Sequence, residues 1–136
     1  MREQLRTISA ALVIAAVAGV CGVSALNAQQ PGFTRKLMQD QELSAQDRHA
    51  VVAVAEFIPG GVAGKHTHPG EELGYVLEGT LLLEVEGRAP QTLKAGEVFF
   101  VEAGKVHDGK NLGTGPARVL ATYIVEKGKP VATPVK

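Results

Sequence analysis

From Ala50 to Glu126 the chain is cut by Gly or Pro turns at intervals of about 8 to 12 residues, and the runs between the cuts are apolar and β-branched. That rhythm leaves room for short strands and none for long helices. Val51 to Ile58 stops at Pro59-Gly60-Gly61, while Leu73 to Glu78 and Thr80 to Glu86 flank Gly79 and read as a hairpin. Glu97 to Val101 follows Ala95-Gly96, His107 to Leu112 follows Ala103-Gly104, and Ala117 to Glu126 follows Gly113-Thr114-Gly115-Pro116. Strands so spaced predict an all-β sandwich or barrel, and a jelly-roll manages exposed strand edges by folding two sheets together. The 136 residues suffice for one such domain and not for a second large one.

The first thirty residues are of another kind. Arg2 and Arg6 precede an uncharged stretch from Ile8 to Leu26, rich in Ala, Val, Ile and Gly, which ends in small residues at Val23-Ser24-Ala25 and Leu26-Asn27-Ala28. A positive start, an apolar middle and a small-residue end describe an export signal, so residues 1–28 are expected to be a signal peptide cleaved after Ala25 or Ala28. The alternative is an uncleaved anchor, since nineteen residues nearly span a bilayer. Removing 25 of the 136 residues leaves 111, with 12 Lys and Arg against 13 Asp and Glu. A periplasmic or secreted domain of this balance has no basic face for nucleic acid and no polybasic patch for a membrane. Residues 29–49 look like a polar lead-in or dimerisation arm, expected to cross to a second copy and add a strand to its sheet. Residues 50–127 form the barrel and 128–136 a C-terminal tail.

The chemistry is concentrated between Gly60 and Asn111. His66 and His68 stand two apart, and in a strand residues i and i+2 share a face, so both imidazoles can reach one ion. Glu72 follows a Pro69-Gly70 turn that can fold the next strand back beside the first. His107 arrives from a later strand, after Gly104. The one cysteine, Cys21, excludes an internal disulfide and cysteine-based zinc sites, so a metal must be held by His and carboxylate. Three nitrogens and one oxygen suit one divalent transition metal among Fe, Mn, Ni, Cu and Zn, with positions left for water, oxygen or substrate. For a lone His a surface or core role is the ordinary explanation; this grouping outweighs it.

These residues resemble the signature of the cupins. The family's first motif, G(X)5HXH(X)3,4E(X)6G, is filled by Gly60, His66, His68, Glu72 and Gly79, and the second, G(X)5PXG(X)2H(X)3N, by Gly96, Gly104, His107 and Asn111. Glu102 stands where the second motif usually has Pro, which should alter the turn before Gly104 without touching a ligand. The resemblance covers about residues 50 to 126 and implies a double-stranded β-helix, or jelly-roll barrel, in one copy. It puts the metal on His66, His68, Glu72 and His107, and such small cupins commonly form homodimers.

A cupin barrel hosts enzymes and binders alike, so function rests on the site. Three His with one Glu is the set found in oxygen-using and oxalate-using cupins. That points to a metal-dependent oxidoreductase, dioxygenase-like, acting on a small organic molecule, with Glu72 as the catalytic proton acceptor. The alternatives are a non-redox isomerase or lyase acting on a sugar acid, and a metal or small-ligand binding module without turnover. Tyr75 and Tyr123 are expected to pack, Asn111 to serve either the motif or a turn, and Lys65, Lys105 and His49 to be solvated. Glu84 and Glu86 alternate with apolar residues toward solvent.

Overall fold

A computed structural model describes residues 30–136. The signal-peptide expectation and Cys21 lie outside those residues. Ten strands follow in order: β1 (Phe33–Glu42), β2 (Arg48–Phe57), β3 (His66–Thr67), β4 (Gly70–Glu78), β5 (Thr80–Val85), β6 (Gln91–Lys94), β7 (Val98–Val101), β8 (His107–Asn111), β9 (Ala117–Glu126) and β10 (Thr133–Pro134). No helix occurs among the described residues, and so none long and apolar enough to cross a membrane.

β9 shows why these sequences form strands. Its side chains alternate without a break, with Ala117, Val119, Ala121, Tyr123 and Val125 buried and the residues between them half-buried, as the two-residue period requires. It pairs antiparallel with β2 over their full lengths and with β4 on its other side. The first sheet runs β1-β2-β9-β4-β7 and the second β10-β3-β8-β5-β6. Their inner faces meet in a cluster that joins Phe33, Phe57, Val76 and Val119 of the first sheet to Leu81, Leu83 and Leu93 of the second. A smaller cluster, Val51, Ala53, Ala121, Tyr123, Val125 and Val131, packs separately. Each fully buried Val or Leu contributes about 1.5 to 3 kcal/mol, so the facing sheets hold the barrel closed around what lies between them. This is the all-β jelly-roll expected from the sequence.

The connections differ from the sequence expectation in two places. β4 and β5 are not a hairpin: β4 pairs with β7 and β9, and β5 with β6 and β8. Gly79, at φ +78°, turns the chain out of one sheet into the other, and a Cβ there would collide with the backbone of Pro116 and Ala117. The hairpin is β5 with β6, a strand in which Leu93 is the sole buried residue and whose pattern is therefore too faint to read in advance. The Pro69-Gly70 turn likewise carries the chain from β3 in the second sheet to β4 in the first, instead of folding it back alongside.

The two flanking segments are also part of the barrel. The lead-in expected over 29–49 contains β1, which pairs with β2 of its own chain from Phe33↔Phe57 to Glu42↔His49 through a bulge at Leu37/Gln39. The arm that would leave for a second copy is thereby corrected to an edge strand of this chain's own sheet. The reason lies in its faces: only Phe33 and Arg35 are buried, so the alternation is too brief to announce a strand. The expected tail over 128–136 buries Val131 and lays β10 against β3.

Candidate metal centre

His66 and His107 face each other as partners in β3 and β8, and His68 follows two residues after His66. All three are buried, and their ring centroids lie 4.3 to 4.9 Å apart. Glu72 comes from β4 in the opposite sheet, with Oε2 3.0 Å from Nε2 of His107 and 3.2 Å from Nε2 of His68. Imidazoles from one sheet and a carboxylate from the other therefore close on a single point inside the barrel. The four residues expected from the sequence are brought together.

Backbone carbonyls fix the direction in which each ring points. Nδ1 of His66 donates to Gly64 O at 2.6 Å, Nδ1 of His68 to Val131 O at 2.5 Å and Nδ1 of His107 to Lys105 O at 2.9 Å. A carbonyl only accepts, so each Nδ1 carries a proton and each Nε2 is turned inward. Nε2 of His107 and of His68 both face the same carboxylate oxygen, and Nε2 of His68 has no hydrogen-bond partner. Acceptor against acceptor in a buried space is repulsive unless a proton or a cation lies between them. The donor set thus fits a metal ion: the three imidazoles offer ligand atoms within 4.8 Å of one another, and ligands whose second nitrogen is tied to a carbonyl are the usual arrangement at such ions.

Charge regulation favours the ligating forms. Burial first, then repulsion from His107 and His68, pushes His66 down to about 3, so this ring is neutral. Burial pushes the Glu72 carboxyl up, but its contacts with His107 and His68 outweigh that and hold it below the usual carboxylate range. The Tyr123 hydroxyl is pushed up, chiefly by burial and then by the charge of Glu72, so it stays protonated. Its ring packs 4.7 Å from that of His68.

The other residues of the signature serve the frame. The two N–H groups of the Asn111 amide reach Gly115 O (2.8 Å) and, shared between them, Ile58 O (3.1 Å) and Phe57 O (3.2 Å), while its Oδ1 accepts from the Gly113 N–H at 2.8 Å. It ties the end of β2 to the turn before β9 and does not face the imidazoles. Glu102, in the place of the usual Pro, pairs with Arg88 at the surface. The turn survives: Gly104, at φ +73°, donates to His68 O at 2.9 Å. Lys65, Lys105 and Tyr75 are exposed, and Glu84 pairs with Lys110. His49 binds Asp40 at 2.8 Å, is half-buried and not solvated as expected, and stands outside the imidazole cluster.

Two contributors were not foreseen. Val131 O, the acceptor for His68, is a backbone atom in what looked like a tail, and no residue type advertises it. Arg35, 8% exposed on β1, lines the same cavity of about 30 Å³ as His66, Glu72 and His107. Its one signal was the brief Phe33-Thr34-Arg35 alternation.

A jelly-roll barrel that gathers three histidines and a glutamate around one interior point defines a class of metal-site proteins built on a β-framework. Residues 53–123 match a family model described as "Cupin domain", and the chain belongs to that family. It is 42% identical over 73 residues to germin-like protein subfamily 2 member 1 of Arabidopsis thaliana, across 50% of this chain and 33% of that protein. It is 36% identical over 77 residues to the rhicadhesin receptor of Pisum sativum, across 53% and 36%. The chain thus spans about a third of the length of these curated relatives. Its fold is similar to an oxalate oxidase in complex with the substrate analogue glycolate (TM-score 0.64, 22% identity, 79% of this chain and 57% of that one). KdgF from Halomonas sp. has a TM-score of 0.58 at 22% identity, covering 72% of this chain and 84% of that one.

Proposed function

We propose that this cupin holds one divalent transition metal on His66, His68, Glu72 and His107 and acts as an oxidoreductase on a small organic substrate. The observation that carries the proposal is the set of three Nδ1 hydrogen bonds to backbone carbonyls, which commits every Nε2 to one shared point. A bound redox-active ion supplies one-electron chemistry and binds substrate or oxygen; the chain supplies the rest. Glu72 is the buried carboxylate placed to take a proton from a bound acid or water. Phe57, Leu81, Leu83 and Val119 wall the cavity and exclude bulk water. A cavity of about 30 Å³ favours a substrate of few atoms over a sugar acid. The fold shared with an oxalate oxidase agrees with this class of reaction, although at 22% identity it supports the framework alone.

The protein is, in this proposal, exported to the periplasm or secreted after loss of residues 1–25 or 1–28, and works as a homodimer. The sheet face that supports association is apolar and exposed: Leu73 sits beside Phe100 and Tyr75 beside Val98, all four at least 43% exposed. Elemental analysis of protein purified from its own compartment, followed by oxygen-uptake measurements on the loaded protein, tests the central proposal. About one redox-active ion per chain and substrate-dependent oxygen consumption are expected. A chain that retains no transition metal would overturn it, and metal with no oxygen use would return it to the isomerase or binding classes.

A further inference from the structure

Arg35 is the one Lys or Arg buried among the described residues. A buried guanidinium is costly without a partner. Its Nε has no hydrogen-bond partner, and no carboxylate of the described residues pairs with it. Its group instead lies over the rings of Phe33 at 5.1 Å and Tyr123 at 5.7 Å and meets the Tyr123 hydroxyl, which leaves its Nε–H free to bind a ligand. Between the row that holds Arg35 and Ala55 and the row that holds Tyr123 and Glu72, the inward positions include Ala53, Ala121 and Gly74, with the Phe99 ring packed over Gly74.

Arg35 also lies between two cavities. The inner cavity of about 30 Å³ that reaches Glu72 and His107 shares Phe33, Arg35, Ala63 and His66 with an outer cleft of about 100 Å³. The outer cleft opens between the start of β1, the loop before β3 and the segment around Pro134, and adds Lys65 to its lining with no acidic residue. The two cations Lys65 and Arg35 and the ring of His66 line that outer cleft. Imidazoles that ligate a metal are neutral, so a divalent ion held there with the one carboxylate, together with Arg35, leaves the interior net positive.

We propose that Arg35 is the substrate-recognition residue of this site, gripping the carboxylate of a small organic acid at the mouth of the metal cavity and so restricting the substrate class to small carboxylates. The geometry calls for a planar anion: the guanidinium offers parallel N–H donors to two carboxylate oxygens, and the inner cavity holds only a few atoms. The proposal rests on the reading of His66, His68, Glu72 and His107 as metal ligands, and it concerns a residue that is not among them.

Calorimetric titration with acetate and with acetamide, its uncharged counterpart of the same shape, tests it on the metal-loaded and the chelator-stripped chain, with inorganic phosphate as a second anion. Acetate is expected to bind at least ten times more tightly than acetamide in both forms and more tightly than phosphate. Arg35→Gln should weaken acetate at least tenfold with metal content unchanged, and Arg35→Lys should weaken it several-fold because an ammonium cannot make two parallel bonds. Unchanged acetate affinity in Arg35→Gln, equal affinity for acetamide in the stripped wild type, or a preference for phosphate each overturns the proposal. Should neither variant fold, the stripped wild-type comparison decides. A chain that takes up no metal yet prefers acetate sinks the metal assignment and leaves Arg35 in its role, so the two failures are told apart.

Discussion

The two sheets contribute to the centre in opposite ways. The second sheet supplies all three imidazoles from its shortest and most interrupted part, where β3 is two residues long and β8 five. Rigidity there comes from carbonyl oxygens of Gly64, Lys105 and Val131 that clamp each ring. The first sheet supplies Glu72, Tyr123 and Arg35 from strands of nine or ten residues, held by continuous ladders. Ligand direction is thus set by single backbone atoms on one side and by register on the other. The clamped side should be fragile to local change and the laddered side tolerant.

The sharpest break of that contrast is His68→Ala. Two imidazoles and a carboxylate hold a divalent ion far more weakly than the full set, and metal affinity should fall about 1,000-fold, near 4 kcal/mol. Elemental analysis after gel filtration reads the result, and stoichiometric metal in the variant would refute the ligand assignment. Ending the chain at Lys129 removes Val131 O but no side-chain ligand, and should cost 10- to 100-fold in metal affinity with the barrel still folded. A chelator competition that finds no change would show that the clamp on His68 is dispensable.

Acid should act on the same side. His66 sits near 3 when folded and at its ordinary 6.5 when unfolded, so the unfolded chain binds the additional proton as the pH drops. Metal-free protein should therefore lose stability progressively from about pH 6.5 toward 3, and Glu72, held below its ordinary 4.5, adds a loss in the same direction under that value. Thermal melts of wild type and His66→Asn across this window should diverge; parallel curves would remove His66 as a source of acid sensitivity. The smallest effect belongs to the outer face of the first sheet. Val98→Ser, at a site 68% exposed, should leave monomer stability within about 0.5 kcal/mol while weakening association in light scattering.

The sequence made some of this visible and hid the rest for physical reasons. Residues whose spacing is itself the signal, Gly60 to Gly79 and Gly96 to Asn111, were legible, and Ala117–Glu126 is a strand over its expected span. Sheet membership was not, because the two-residue period of β4 and β5 is the same whichever sheet receives them; only Gly79 and its close approach to Pro116 and Ala117 redirect the chain. Arg35 hid in a polar run because a cation pointing inward inverts the usual pattern. Asn111 could have served the site or a turn, and its amide bonds to backbone carbonyls place it with the turn.

The hydrogen bond from His68 to Val131 spans 63 residues of chain. A ribosome adding about 5 to 20 residues each second needs roughly 3 to 13 seconds to cover that distance. Throughout that interval His68 exists without the carbonyl that aims it, and β3 lacks the edge that β10 provides. The clamp on His68 cannot form until Val131 has been made, so the order of synthesis itself would delay tight capture of an ion. For a chain that leaves the cell interior unfolded, such a delay would leave the choice of metal to the destination compartment and not to the cytoplasm.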